Sequence, residues 1–356
     1  MKSVLIGLSG GVDSAVSALL LKKQGYKVIG AFMRNFSDNK NLKGECHWVE
    51  DKKDAEKIAS ILKIPLLTFN FENEYKRDVI EPMFNSYSKN LTPNPDTNCN
   101  RYIKFPLLWK EAQKRDIDFI ATGHYAKIIK KKNKFELHQA IDKEKDQTYF
   151  LYKLKEQDLK HTLFPIGNLK KSQVREIAKK ANLPVYNKRG SRGICFVGKM
   201  DMKTFLKQRI KEKKGIIKNP EGEIIGTHTG TMFFTIGERI KENEEIHLND
   251  SARNKASKKF YVAKKQGNTL IVAPENNLSL KRKQFIIKNL SFINKNQSLK
   301  NIKVRIRHRG NLISATIKKE KNQITCTLKN PTQGIAEGQS VVIYKNSKVL
   351  AGGEIR

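Results

Sequence analysis

The chain has 356 residues, 38% of them hydrophobic and 8% aromatic, with 70 Lys and Arg against 35 Asp and Glu, a formal net charge of +35. The length predicts two or three domains, and the charge predicts a polyanionic partner, nucleic acid first, although lysines spread evenly among many asparagines also arise from compositional bias. No apolar run reaches the ~18 residues of a membrane span, "SVLIGL" is too short for a signal-peptide core, and Cys46, Cys99, Cys195 and Cys326 form no Cys-x-x-Cys pair. These features argue against membrane insertion, a disulfide framework and a zinc site, and for a reduced cytoplasmic compartment.

In chain order, Ser3 to Leu8 reads as a buried strand and Ala15 to Lys23 as a helix, with Val16, Leu19 and Leu20 at helical spacing and Gly25 ending it. "YKVIGAFM" is a second strand, which makes a βαβ unit and implies a parallel sheet. "DKKDAEKIASILK" reads as helix and "IPLLTFNF" as strand. "ENEYKRDVIEPMFNSYSKN" is helix with a kink near Pro82, "YIKFPLLWKEAQKR" is mainly helix and "DFIATGH" is strand. "KIIKKKNKF" and "ENEEIHLNDSARNKASKKF" read as exposed loops. After about Phe205 short apolar runs between glycines suggest hairpins, and from Leu278 short strands alternate with Asn- or Gly-containing turns. The expected fold class is therefore α/β. Its parts are a doubly wound parallel-sheet domain over 1–203, a small mostly β domain over 204–277 and a C-terminal β-barrel over 278–356.

"SGGVDS", Ser9 to Ser14, lies between the first strand and the first helix, where backbone N–H groups and the helix dipole favour an anion. Gly10 and Gly11 permit a close backbone approach, and the hydroxyls of Ser9 and Ser14 can donate to phosphate oxygens. Asp13 is the anomaly, since a carboxylate repels phosphate; holding Mg²⁺ or ordering the loop would explain it. The Gly-Lys-Ser/Thr ending of a Walker loop is absent, which excludes a kinase-like γ-phosphate site. Gly123 and His124 follow the "FIAT" strand, where ligands of open α/β sheets bind. In "TPNPDTNCNRYIKF", Pro93 and Pro95 stiffen the approach to Asp96 and Cys99, and Asn100 is placed to cap the next helix. Arg101 and Lys104 near Cys99, and Arg189 and Arg192 near Cys195, favour thiolate; each cysteine is either reactive or a small core residue. In "IKVRIRHR" a period of two sets Lys303, Arg305, Arg307 and Arg309 on one face and Ile302, Val304 and Ile306 on the other. The basic face is read as free, either solvated or bound to phosphate.

Ser-Gly-Gly-Val-Asp-Ser resembles the loop of the pyrophosphatase-type ATP-binding enzymes, in which a substrate oxygen attacks the α-phosphate to form an adenylate. The ordered set "SGGVDS", "NPDTNCNRYIKF", "ATGHY", "KDQTYFL" and "GICFVG", with "VRIRHRG" and "GQSVVIY" near the C-terminus, resembles the tRNA-specific 2-thiouridylases over nearly the whole chain. The resemblance implies ATP-dependent transfer of sulfur to the wobble uridine of tRNA. It implies ATP contacts from Gly7, Leu8, Ser9, Gly10, Gly11, Val12, Asp13 and Ser14, with Met33 and Gly123 flanking the adenosine. Asn94, Pro95 and Asp96 would meet the target base, with Asp96 as acid/base. Cys195 would carry a persulfide and Cys99 would resolve it through a transient disulfide. Lys145, Asp146, Gln147, His124, Arg307, His308 and Gln339 would touch tRNA. Mg²⁺ is implied with ATP, a cysteine desulfurase or sulfur relay as donor, and the Lys, Glu and Gln isoacceptors as substrates. No resident metal site is expected in the protein itself, and Cys46 and Cys326 are assigned to structure.

The chain departs from that pattern at Gly190, Ser191 and Arg192, where the family has Asp-Ser-Thr, and at Phe36, where it has Trp. "TIGERIKENEEI" also lacks the family's glycines and carries Glu238 for Gln. Two other readings compete. One is nitrogen-transfer chemistry as in lysidine, argininosuccinate or GMP synthetases, which needs no placed cysteines. The other is a tRNA-binding protein with a decayed site, which would release no AMP.

Overall fold

The computed structural model describes residues 1–37, 47–188, 201–253, 259–295, 297–320 and 323–356. The first seven strands are β1 (Ser3–Gly7), β2 (Lys27–Arg34), β3 (Leu66–Asn70), β4 (Phe119–Ala121), β5 (Ala126–Lys131), β6 (Lys134–Gln139) and β7 (Thr162–Leu163). Five of them form a parallel sheet in the order β3-β2-β1-β4-β7. Helices cover both faces, so β1 is a continuous apolar run in which Val4, Leu5 and Ile6 are fully buried. The chain leaves β1 for β2 on one side and later returns as β4 on the other. The carboxyl ends of β1 and β4 therefore form a topological switch point, where a crevice opens. The helix α1 (Val12–Lys23) starts there, three residues earlier than its apolar spacing predicts, and ends before Gly25 at φ +84°.

The kink expected near Pro82 is a π-helical turn, Lys76–Ile80, inserted between helices Glu72–Tyr75 and Glu81–Ser88. A second one, Cys99–Lys104, joins the short helix Pro95–Asn98 to Phe105–Gln113. Each π turn precedes a proline one residue into the next helix, Pro82 and Pro106. Proline has no N–H to give the preceding turn, so the ladder there must re-register. Asn100 thus sits inside a π turn rather than capping a helix; its Nδ2 donates to the carbonyl of Phe150 at 3.1 Å.

The central unit is a six-stranded sheet built from strands between Gly215 and Pro274. The C-terminal unit is an eight-stranded sheet in which pairing of Lys281–Phe292 with Lys348–Ile355 closes six strands on themselves, while β6 and β5 extend it beyond Lys348–Ile355. Its own core includes Phe285, Val304, Cys326, Val341 and Ile343. Burial pushes the Cys326 thiol up to about 12, which fits an inert core residue.

Two segments expected to be loops are ordered. "KIIKKKNKF" is the β5–β6 hairpin, with Ala126 paired to Gln139 and Lys131 to Lys134. It is an edge of the C-terminal sheet, joined through Lys348 opposite His138. Edge strands tolerate lysines, and this run of them concealed the alternation. "EIHLNDSAR" supplies a strand, Ile246–Leu248, and a one-turn helix, Asp250–Arg253; residues 254–258 of that segment lie outside the described residues. Among the described residues no helix is long and apolar enough to cross a membrane.

Candidate active site

The loop after β1 is built by close packing of backbone on backbone. Gly10 takes φ +70°, and a Cβ there would fall 2.3 Å from the carbonyl oxygen of Asp51. A Cβ on Gly123, just past β4, would fall 2.7 Å from the amide nitrogen of Ser14. A Cβ on Gly7 would meet the Met33 methyl at 3.2 Å. Gly7, Met33 and Gly123 thus converge on the switch point with the loop itself. Ser14 Oγ donates to the carbonyl of Gly11 at 3.0 Å and accepts from the Ser9 amide at 3.2 Å. The N-terminus of α1 is capped by no side chain, which leaves its amides for an anion.

Asp13 does not enter this cradle as an isolated acid. Its Oδ1 lies 2.6 Å from Lys171 Nζ and accepts from the Tyr125 hydroxyl at 2.9 Å. Lys171 opens the helix Lys171–Lys180, which packs on α1. Asp13 therefore orders the loop, one of its two expected roles, and brings a cation beside it. Lys188 does similar work on the other side, donating to the Gly10 carbonyl at 3.2 Å and pairing with Asp51 at 2.8 Å and Asp54 at 2.7 Å. Lys171, Tyr125 and Lys188 were invisible to motif reasoning, because each reaches the loop from more than 100 residues away with no local signature.

Asn94 precedes the short helix Pro95–Asn98, and Cys99 begins the π turn that follows. Cys99 is 4% exposed and Asp96 half-buried. Phe105, one residue past that turn, packs its ring 5.7 Å from that of His124. This contact links the cysteine segment to the Gly123 end of β4. His124 is 8% exposed, its Nδ1 is 2.7 Å from Thr122 Oγ1, and burial holds its pKa well below the usual value. It is a neutral, enclosed imidazole. Cys195 lies within residues 189–200, outside the described residues, as do Gly190, Ser191 and Arg192; Cys46 is likewise outside them.

Tyr149, which sequence analysis left without a role, gathers the Pro93–Asn94 segment and the barrel. Its hydroxyl donates to the Ser340 carbonyl at 2.7 Å and lies 3.3 Å from the Ile306 carbonyl and 3.4 Å from Gln339 Oε1. It also hydrogen-bonds Asn94. Gln339 Nε2 in turn reaches the Pro93 carbonyl at 3.4 Å. His308 packs tilted against Phe150 with ring centroids 4.5 Å apart, and burial with neighbouring Arg309 and Arg305 lowers its pKa to about 4. Asn94, His308 and Gln339 thus lie around Tyr149 and Phe150, and Arg307 is exposed beside them.

Two expectations about the RNA face need correction. Asp146 is 1% exposed and spent inside the protein, accepting from Gln139, Ala140, Thr148 and, at 2.7 Å, Arg305. Its side chain staples two domains and offers nothing to RNA. Arg305 is 6% exposed for the same reason, so the basic face of "IKVRIRHR" is not free along its length. The regular strand is Ile302–Arg305, and period-two alternation stops there; Arg307 and Arg309 are exposed in the turn that follows. Gln147 is half-buried, with its Oε1 accepting from the Tyr125 amide at 2.9 Å, and Lys145 is half-buried.

Among the described residues no group of three His, Cys, Asp or Glu side chains could hold a metal ion. A magnesium ion arriving on nucleotide phosphates keeps most of its waters and needs one or two protein carboxylates. Asp13 fits that modest demand: among the described residues Tyr125 and Lys171 both bond its Oδ1, leaving Oδ2.

Comparison with known proteins covers the same three units. The family described as "tRNA methyl transferase HUP domain" matches residues 2–199, "tRNA methyl transferase PRC-barrel domain" 203–274 and "Aminomethyltransferase beta-barrel domain" 282–355. The proteins named tRNA-specific 2-thiouridylase MnmA of Blochmanniella floridana and of Buchnera aphidicola are each 41% identical to this chain over all of its length, covering 96% and 97% of their own. The protein of that name from Bacillus licheniformis is 37% identical over 99% of this chain and 94% of its own.

Proposed function

The chain belongs to the tRNA-specific 2-thiouridylase family, and from that premise we propose how its residues carry out ATP-dependent 2-thiolation of the wobble uridine of tRNA. It is a sulfurtransferase, and ATP is its co-substrate. The observation that carries the reading is the loop from Gly7 to Ser14, packed so tightly against Gly123 that a Cβ there would fall 2.7 Å from the Ser14 amide nitrogen.

The chemistry requires that an oxygen leave C2 of a uracil ring, which it does not do unaided. The uridine O2 attacks the α-phosphorus of ATP, pyrophosphate departs, and the oxygen becomes part of an AMP leaving group. The amides of the loop and α1 hold the phosphates, while Met33 and Gly123 flank the adenosine. The loop's cations, Lys171 and Lys188, offset part of the added negative charge. Mg²⁺ would supply charge neutralisation on the phosphates, with Asp13 as its protein contact.

Asn94 and Pro95 position the base, and Asp96 moves the proton. Cys195 carries a persulfide. The Cys99 thiolate attacks the inner sulfur of that persulfide, forming a Cys99–Cys195 disulfide and expelling hydrosulfide, which adds to C2 as AMP leaves with the original oxygen. Two equivalents of a cellular thiol, oxidised to their own disulfide, return the Cys99–Cys195 disulfide to two thiols, and a cysteine desulfurase or relay protein reloads Cys195. Arg307, His308 and Gln339 meet the tRNA beside Tyr149 and Phe150, with His124, Lys145 and Gln147 lining the same approach. The substrates are wobble-uridine tRNAs for Lys, Glu and Gln, and the compartment is the cytoplasm.

The test is mass spectrometry of tRNA nucleosides after incubation with ATP, Mg²⁺, a persulfide source and unmodified tRNA. We expect 2-thiouridine with the native chain and none with Cys99→Ala or Cys195→Ala. Full product from either variant would overturn the sulfur route.

A further inference from the structure

A second basic site lies away from the nucleotide loop, where the three folded units meet. A cavity of about 380 Å³ is lined by Lys89 and Asn90 from the catalytic domain, Lys264 and Lys265 from the central sheet, and Arg282 and Glu337 from the C-terminal sheet. Four cations face one lining carboxylate. Among the described residues Lys89, Lys264 and Arg282 form no ion pair. Lys89 and Lys264 are exposed, so the cavity opens to solvent.

Lys265 is the unusual member. Among the described residues its ammonium hydrogen-bonds only the Asn90 carbonyl, at 3.3 Å, and desolvation lowers its pKa to about 8 despite the nearby carboxylates of Glu238 and Glu337. A half-buried cation with one long hydrogen bond to a neutral acceptor is under-compensated, and an anion in the cavity would restore what desolvation removed. The floor of the cavity is also connected to the chemistry. Asn90 and Thr92 lead into Asn94, Pro95 and Asp96, and Thr92 is gripped by the barrel, its amide donating to the Glu337 carbonyl at 2.8 Å.

We infer that this three-domain cavity binds backbone phosphate of the tRNA substrate through Lys89, Lys264, Lys265 and Arg282, anchoring the RNA at the root of the segment that receives the target base. The inference rests on the thiouridylase reading. A phosphodiester fits better than a compact metabolite, because the cations come from three units around an open cavity and the partner is a polyanion. Each phosphate neutralised by a cation contributes roughly 0.9 to the slope of log K against log salt.

The experiment measures binding of an unmodified wobble-uridine tRNA transcript between 50 and 300 mM salt by filter retention. It uses the native chain, Lys264→Ala/Arg282→Ala, Lys265→Met and Lys265→Arg. We expect the double variant to bind roughly tenfold more weakly, with a slope shallower by about one to two. Lys265→Met should show a similar loss and Lys265→Arg near-native binding. Thermal melting and ATP binding should stay unchanged in the double variant, whose side chains form no hydrogen bond or ion pair among the described residues. Native affinity and slope in the double variant would overturn the inference. So would native tRNA binding accompanied by loss of inorganic phosphate binding, which would assign the cavity to a small anion. If the native chain makes no 2-thiouridine at all, the functional reading falls; if it does and the slopes agree, only the cavity does.

Discussion

The carboxylate of Asp13 and the ammonium of Lys171 lie 2.6 Å apart although 158 residues separate them. That contact fastens the start of α1, and with it the phosphate loop, to the helix Lys171–Lys180. Loop geometry should therefore depend on Lys171 as much as on the glycines. Lys171→Met is expected to weaken ATP binding roughly tenfold, and Asp13→Asn/Lys171→Met to be little worse than either single change. A coupling of about 1–2 kcal/mol in a double-mutant cycle on ATP affinity would express this. Additive effects would show that the pair does not act as a unit.

Gly123→Ala tests the other side of the cradle. The new methyl would stand 2.7 Å from the Ser14 amide and 2.8 Å from the Asp13 carbonyl carbon. Neither backbone atom can yield without moving α1. AMP formation should fall at least a hundredfold, and ATP protection against thermal unfolding should disappear. Gly25→Ala is the contrast. Gly25 sits at positive φ, +84°, but a Cβ there meets nothing within 4 Å, so the change should cost only about 1 kcal/mol of stability and leave ATP binding intact.

The sequence disclosed what depends on local pattern. The βαβ start, the phosphate loop and the Gly123 turn are each set within a few residues by glycines and apolar spacing, and the structure has them there. Long-range partners left no such trace. Nothing in "NLKKSQVREI" announces that Lys171 meets Asp13, or in "KDQTYFL" that Tyr149 joins Asn94 to Ser340 and Gln339. Asp146 and Arg305 illustrate a related failure. A charged residue in a basic, polar stretch reads as a surface group unless its partner is known, and each here is buried only because the other exists. The β5–β6 hairpin escaped because its lysines belong to a sheet edge contributed by another domain.

Asp146 and Arg305 also predict stability. Removing one member leaves the other charged, 0% or 7% exposed and uncompensated. Asp146→Ala should cost about 3–5 kcal/mol in denaturant unfolding, while Asp146→Leu/Arg305→Met should recover much of that loss. Because the pair joins the catalytic domain to the barrel, Asp146→Ala should also make the barrel more protease-sensitive. A loss of tRNA affinity with no change in stability would instead return Asp146 to the RNA face.

His308 gives the pH-dependent prediction. Burial against Phe150 and the nearby arginines hold its folded pKa near 4, below the ordinary value of 6.5. The folded protein therefore binds fewer protons than the unfolded chain between those values. Its contribution to stability is full above about pH 6.5 and is lost as pH falls toward 4. At neutral pH the ring is uncharged, so the tRNA contact proposed for it is stacking or a neutral hydrogen bond, and the charge on this loop comes from Arg307 and Arg309. His308→Phe should keep most of the tRNA affinity at pH 7 and flatten the fall in stability below pH 6.5, whereas Arg307→Ala should weaken binding and lessen its salt dependence. An imidazole proton shift titrating near 6.5 by NMR would refute the assignment.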